Sequence, residues 1–124
     1  MLVDDSELDN FINQKLLEAH HFARKIYVVT SGKSAFEFLK NLLLIEDPTD
    51  ATFPSVIFVD INMPIMDGFQ FIDQFLKISA RLGFPKIVIL TSSVSSADRE
   101  RAEALPGDII FLNKPLTPQA LAGI

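Results

Sequence analysis

The chain has 124 residues, 48% of them hydrophobic and 22% charged, with a net charge of −5 and no cysteine. This composition fits one globular domain over residues 1–124 and excludes a disulfide framework, a thiolate metal site and a disordered chain. No apolar run approaches the roughly 18 residues of a membrane span, and the acidic balance disfavours direct nucleic-acid binding, so a cytoplasmic domain is expected.

Met1-Leu2-Val3 is a short apolar start that runs straight into Asp4-Asp5. Ser6, with Asp9 three residues on, supplies a capping-box-like start for a helix over 6–21. Its apolar stripe is Leu8, Phe11, Ile12, Leu16 and Ala19, with Asn10, Asn13, Gln14 and Glu18 mostly opposite. Lys25 to Thr30 is a β-branched second strand. Ser31-Gly32 breaks it, and Ser34 with Glu37 forms a capping box for a second helix ending near Ile45. Glu46 to Pro54 reads as a polar loop. Phe53 to Asp60 follows, and its Val56-Ile57-Phe58-Val59 run is apolar on both faces, the pattern of a central parallel strand.

A turn through Met63 to Gly68, where Gly68 relaxes the backbone geometry, leads to a third helix. That helix carries Phe71, Ile72, Phe75, Leu76 and Ile78 and stops near Gly83. Lys86 to Thr91 is another doubly buried strand, ending in a hydroxyl. Ser92 to Ser96 form a polar loop that caps a lightly packed helix over 97–105. Asp108 to Asn113 is the fifth strand, followed by Lys114-Pro115 and a short helix over 117–124. The alternation is (βα)5. Right-handed crossovers turn it into an α/β fold, a doubly wound, parallel five-stranded sheet with flavodoxin-like strand order 2-1-3-4-5.

In that sheet the C-terminal strand ends share one edge, which gathers Asp4-Asp5, Asp60, Thr91 and Lys114. Three carboxylates close together repel one another unless a cation intervenes. Oxygen ligands without histidine or cysteine select a hard cation, and Mg²⁺ is the natural fit. A carboxylate flanked by a divalent cation, an ammonium and a hydroxyl is arranged to receive a phosphoryl group.

Asp60-Ile61-Asn62-Met63-Pro64-Ile65-Met66-Asp67-Gly68 resembles the D-x-x-M-P-x-M-D-G signature of response-regulator receiver domains. Asp4-Asp5 resembles the family's acidic pair, Thr91 its hydroxyl residue, and Lys114-Pro115 its lysine with a cis peptide to proline. The resemblance implies that Asp60 is the phosphoacceptor. It implies that Asp5, Asp60 and the Asn62 backbone carbonyl ligate Mg²⁺ directly, with Asp4 acting through a metal-bound water. Lys114 and Thr91 would contact phosphoryl oxygens, Phe111 would be the aromatic partner of Thr91 in a switch, and Asn62 and Ser93 would tune the acyl-phosphate lifetime. The implied partners are a histidine kinase or phosphotransfer protein upstream and an effector downstream, reached through the face formed by helix 4, strand 5 and helix 5. The first strand and last helix are shorter than the family pattern.

Two other functions fit part of the sequence. A non-phosphorylated receiver-like interaction module would show a gap in the acid pocket, and none of the five positions is missing. An aspartyl-nucleophile hydrolase of the haloacid dehalogenase type wants an acid two residues after its nucleophile, where this chain has Asn62. The adjacent His20-His21 point in different directions on a helix end and read as surface residues.

Overall fold

The computed structural model describes residues 1–49 and 51–124; residue 50, inside the expected 46–54 loop, lies outside them. Five strands, β1 (Leu2–Val3), β2 (Val28–Val29), β3 (Val56–Val59), β4 (Lys86–Thr91) and β5 (Ile109–Asn113), alternate with five helices. The helices are α1 (Glu7–Ala19), α2 (Gly32–Leu42), α3 (Gly68–Leu76), α4 (Ser96–Glu103) and α5 (Pro118–Ala122). All neighbouring strands pair in parallel, in the order β2-β1-β3-β4-β5. The expected fold class and strand order are those observed.

Period-two alternation explains why the strands read as continuous apolar runs. Val3, Ile57, Val59, Ile87 and Ile89 face one layer, packed by Leu39 of α2 and by Phe71 and Phe75 of α3. Leu2, Phe58, Val88 and Leu90 face the other, packed by Leu17 of α1 and by Leu121 of α5. Register then aligns the strand ends. Val3 pairs with Val59, Val59 with Ile89 and Thr91 with Asn113, so the residues that follow emerge along one edge.

The structure corrects several local expectations. α1 turns the opposite face inward. Asn10, Asn13 and Leu17 are its buried residues, whereas Leu8, Phe11 and Ile12 are exposed. The reason is tertiary: Asn10 Nδ2 donates to the Asp4 carbonyl at 2.8 Å and to the Val29 carbonyl at 3.5 Å. A leucine there would leave the Asp4 carbonyl without that donor. β2 is confined to Val28–Val29, because its sole neighbour β1 is itself only 2 residues long. α2 starts earlier than expected: Ser31 Oγ accepts the Ser34 N–H at 3.1 Å, so Ser31, not Ser34, is its N-cap. α3 ends at Leu76, and a 3-10 turn over Ser79–Leu82 carries the chain to Gly83 at φ 79°. α4 buries only Ala102, consistent with the light packing expected of it.

Candidate functional site

The acid edge is built by backbone continuation of the strands. The Asp60 N–H donates to the Val3 carbonyl at 3.0 Å, extending the β1–β3 ladder one residue beyond the strands and placing Asp60 beside Asp4. The Lys114 N–H likewise donates to the Thr91 carbonyl at 2.8 Å. Asp4, Asp60 and Thr91 are buried, while Asp5 is exposed. One carboxylate oxygen from each of Asp4, Asp5 and Asp60 lies within 4.8 Å of the other two. The five positions singled out at the strand ends do converge.

Lys114 binds this cluster together. Its Nζ lies 2.6 Å from Asp4 Oδ2, 2.7 Å from Asp9 Oδ2 and 3.4 Å from Asp60 Oδ2. Burial alone would lower the Lys114 pKa, but hydrogen bonds from its ammonium to Asp4 and Asp9 and the charges of Asp60 and Asp4 outweigh that and raise it. For Asp4 the balance goes the other way. Burial raises its carboxyl above the ordinary 3.8, against the Lys114 ammonium and the Ser6 N–H, which donates to Oδ1 at 2.9 Å. A single ammonium therefore does not fully compensate the acids. Oxygen-only donors at this spacing fit a hard divalent cation.

On the other side of Asp60, Thr91 Oγ1 accepts from the Ser93 N–H at 3.1 Å and from Asn62 Nδ2 at 3.4 Å. The Asn62 N–H in turn donates to Asp60 Oδ1 at 3.3 Å. The Ser93 hydroxyl is turned away, donating to Asp98 Oδ2 at 2.5 Å and accepting the Ser95 N–H at 3.2 Å. Phe111 is half-buried, with the Arg99 guanidinium 4.8 Å from its ring centroid. The Lys114–Pro115 peptide is cis.

The turn after Asp60 is held by contacts that composition hides. The Gly68 N–H donates to the Ile61 carbonyl at 3.1 Å, and Asp67 and Gln70 form a reciprocal capping box. Gly68, expected to relax the backbone geometry of the turn, is required by close approach: a Cβ there would meet the Asp60 carbonyl oxygen and sit 2.6 Å from Ile61 Cα. Sequence reasoning also missed Asp9, which it took for a helix-cap acid. Its carboxylate goes to Lys114 while its N–H takes the Ser6 hydroxyl at 3.2 Å. No local signal pointed to it, because the partner of its carboxylate lies 105 residues away in the sequence.

Residues 1–124 match the family described as the response regulator receiver domain. A two-component response regulator from Cytophaga hutchinsonii superposes with a TM-score of 0.86 at 32% identity, covering 98% of this chain and 89% of that one. The sensor histidine kinase CheAY of Helicobacter pylori is 30% identical over the whole of this chain, which spans 14% of that protein. A protein-glutamate methylesterase/protein-glutamine glutaminase of Methanococcoides burtonii is 32% identical over 125 residues, with 100% of this chain and 32% of that protein covered. The chain spans less than two thirds of the length of these two curated relatives.

Proposed function

Because the chain belongs to the response regulator receiver family, whose domains are signalling switches of two-component systems, we propose that Asp60 is its phosphoacceptor, taking a phosphoryl group from a partner phosphohistidine. The observation that carries this reading is the Lys114 ammonium on Asp4 and Asp60, beside Thr91, with no member of the pocket missing. Receiver domains bind Mg²⁺ in such an acidic pocket, and here Asp5, Asp60 and the Asn62 carbonyl would hold it directly, with Asp4 through a water. When bound, the ion supplies positive charge against the oxygens of the transferring group.

An Asp60 carboxylate oxygen attacks phosphorus in line, the phosphorus–nitrogen bond breaks, and its electron pair returns to the donor imidazole. Lys114 neutralises the oxygens of the transferring group. Thr91 Oγ1 already accepts two N–H groups, so its own proton is the one to offer the phosphoryl. The acyl phosphate brings up to two negative charges, and Thr91 moves toward them. Phe111 follows only if it leaves the Arg99 guanidinium, which links the site to α4. Self-catalysed phosphorylation and dephosphorylation are the only chemistry this reading needs. Asn62 and Ser93 tune the lifetime, Ser93 by anchoring the loop after β4 to Asp98.

Leu8, Phe11 and Ile12 on the first two turns of α1 are exposed, as are Ile65 and Val94 in the loops after β3 and β4. These segments all follow strand ends at the edge carrying Asp60. This apolar rim is suited to receive the helices of a histidine kinase or phosphotransfer protein.

Incubation with acetyl phosphate and Mg²⁺ is expected to add one phosphoryl group, seen by intact-mass spectrometry, and Asp60→Asn is expected to abolish it. Retained labelling of that variant would remove Asp60 from its role. Mg²⁺ at about 100 times its dissociation constant should also stabilise the wild type by about 2.7 kcal/mol in thermal unfolding. That gain should shrink on acidification. The sign follows from Asp4: its raised pKa means the folded state takes up a proton before the unfolded chain does, and the proton competes with the cation.

A further inference from the structure

Lys114 stands between two groups of acids. Asp4 Oδ1 accepts the Ser6 N–H at 2.9 Å, and Lys114 donates to its Oδ2 at 2.6 Å. Asp4 is also one of the three carboxylates clustered within 4.8 Å. The ammonium and an incoming cation, or the water through which Asp4 would hold it, therefore draw on the same carboxylate. Asp9 lies outside that cluster, on the first turn of α1, and its Oδ2 holds Lys114 at 2.7 Å. The helix start makes no demand on this carboxylate, because the cap is formed by the Ser6 hydroxyl and the Asp9 backbone N–H.

We propose that Asp9 is a positioning residue that draws the Lys114 ammonium off Asp4 when a divalent cation enters the pocket, so that cation and lysine occupy the site together. The inference rests on reading the acid pocket as a Mg²⁺-dependent phosphoacceptor site. Without Asp9, Lys114 has only Asp4 and Asp60 as partners and competes with the cation at both. With Asp9, one ammonium is shared by an acid that the cation does not need. The plainer role, an acid in the first helical turn favourable to the dipole, would affect stability and leave cation binding to the other residues.

The test is titration of the 124-residue chain with MgCl₂ by isothermal calorimetry, alongside Asp9→Asn, Asp9→Glu, Lys114→Met and the Asp9→Asn/Lys114→Met double variant. Asp9→Asn is expected to raise the Mg²⁺ dissociation constant roughly three- to ten-fold, and Asp9→Glu to restore most of the loss. In the Lys114→Met background the Asp9→Asn effect is expected to fall below two-fold, roughly the limit at which independent sites add. An unchanged constant in Asp9→Asn overturns the proposal, whatever the melting temperature does. An Asp9→Asn effect of full size without Lys114 also overturns it, since Asp9 would then act only as a nearby charge. Should Lys114→Met fail to fold, Lys114→Gln takes its place in the same cycle, and equal weakening by Asn and Glu at position 9 also rejects charge-dependent positioning. A wild type that binds no Mg²⁺ sinks the reading of the pocket itself, an outcome distinct from variants that bind as the wild type does.

Discussion

Gly68→Ala is expected to lower the melting temperature by about 10 °C, corresponding to a loss of roughly 3 kcal/mol for a domain of this size. The added methyl group would meet three backbone atoms: the Asp60 carbonyl oxygen, Ile61 Cα at 2.6 Å and the Asp60 carbonyl carbon at 3.0 Å. Backbone cannot rotate away as a side chain can. The clash is therefore relieved only by moving the start of α3 off the end of β3. That movement stretches the Gly68 N–H to Ile61 carbonyl bond and shifts the residue that carries the site's central carboxylate. Gly32 provides the internal comparison. There the same change meets the Met66 carbonyl oxygen at 2.8 Å and otherwise the Met66 side chain, which can adjust, so a smaller loss is expected. Thermal unfolding by circular dichroism ranks the two variants, and equal losses would show that the α3–β3 approach is not the tighter constraint.

Lys114→Met is expected to produce three effects together. In metal-free buffer near neutrality the variant should lose about 2 kcal/mol, between the values for exposed and fully buried ion pairs. Asp4 and Asp60 are nearly covered and would have no compensating charge. Added Mg²⁺ should recover much of that loss, and the cation should bind more tightly than to the wild type. Phosphoryl incorporation from acetyl phosphate should nevertheless fall by about a hundred-fold or more, as when a preorganised charge-stabilising donor is removed. The pH dependence separates this from a packing defect. Lys114 is held above its ordinary 10.5, so its contribution is complete below that value and is lost as pH rises through the folded-state pKa. The gap between wild type and variant should therefore close in strongly alkaline buffer. A gap constant across alkaline pH would assign the loss to the lysine's methylenes instead of its charge.

The parts of the molecule legible in the sequence are those whose signal is local. Val56 to Val59 and Lys86 to Thr91 are apolar on consecutive positions because both faces are covered, and Asp60 and Thr91 sit at or just after strand ends for that reason. Once the strand order was inferred, convergence of the acids followed from geometry. α1 defeated the same reasoning. Its apolar stripe is genuine, but the inward face is chosen by the carbonyls of Asp4 and Val29, which two other segments bring to Asn10. Asp9 was hidden for a similar reason, since its partner lies 105 residues away. Ser31 and Ser34 both offer a hydroxyl near a helix start, and only the backbone conformation of Ser31 decides between them.

The Lys114 ammonium joins residues separated by 110 positions at Asp4 and by 54 at Asp60. The pocket therefore has no existence in any fragment of the chain. A nascent polypeptide halted before Lys114, or a partly unfolded one whose β1 has detached, lacks either the lysine or Asp4 and cannot complete the site. Assembly of the acid pocket is thereby conditional on the whole sheet being formed.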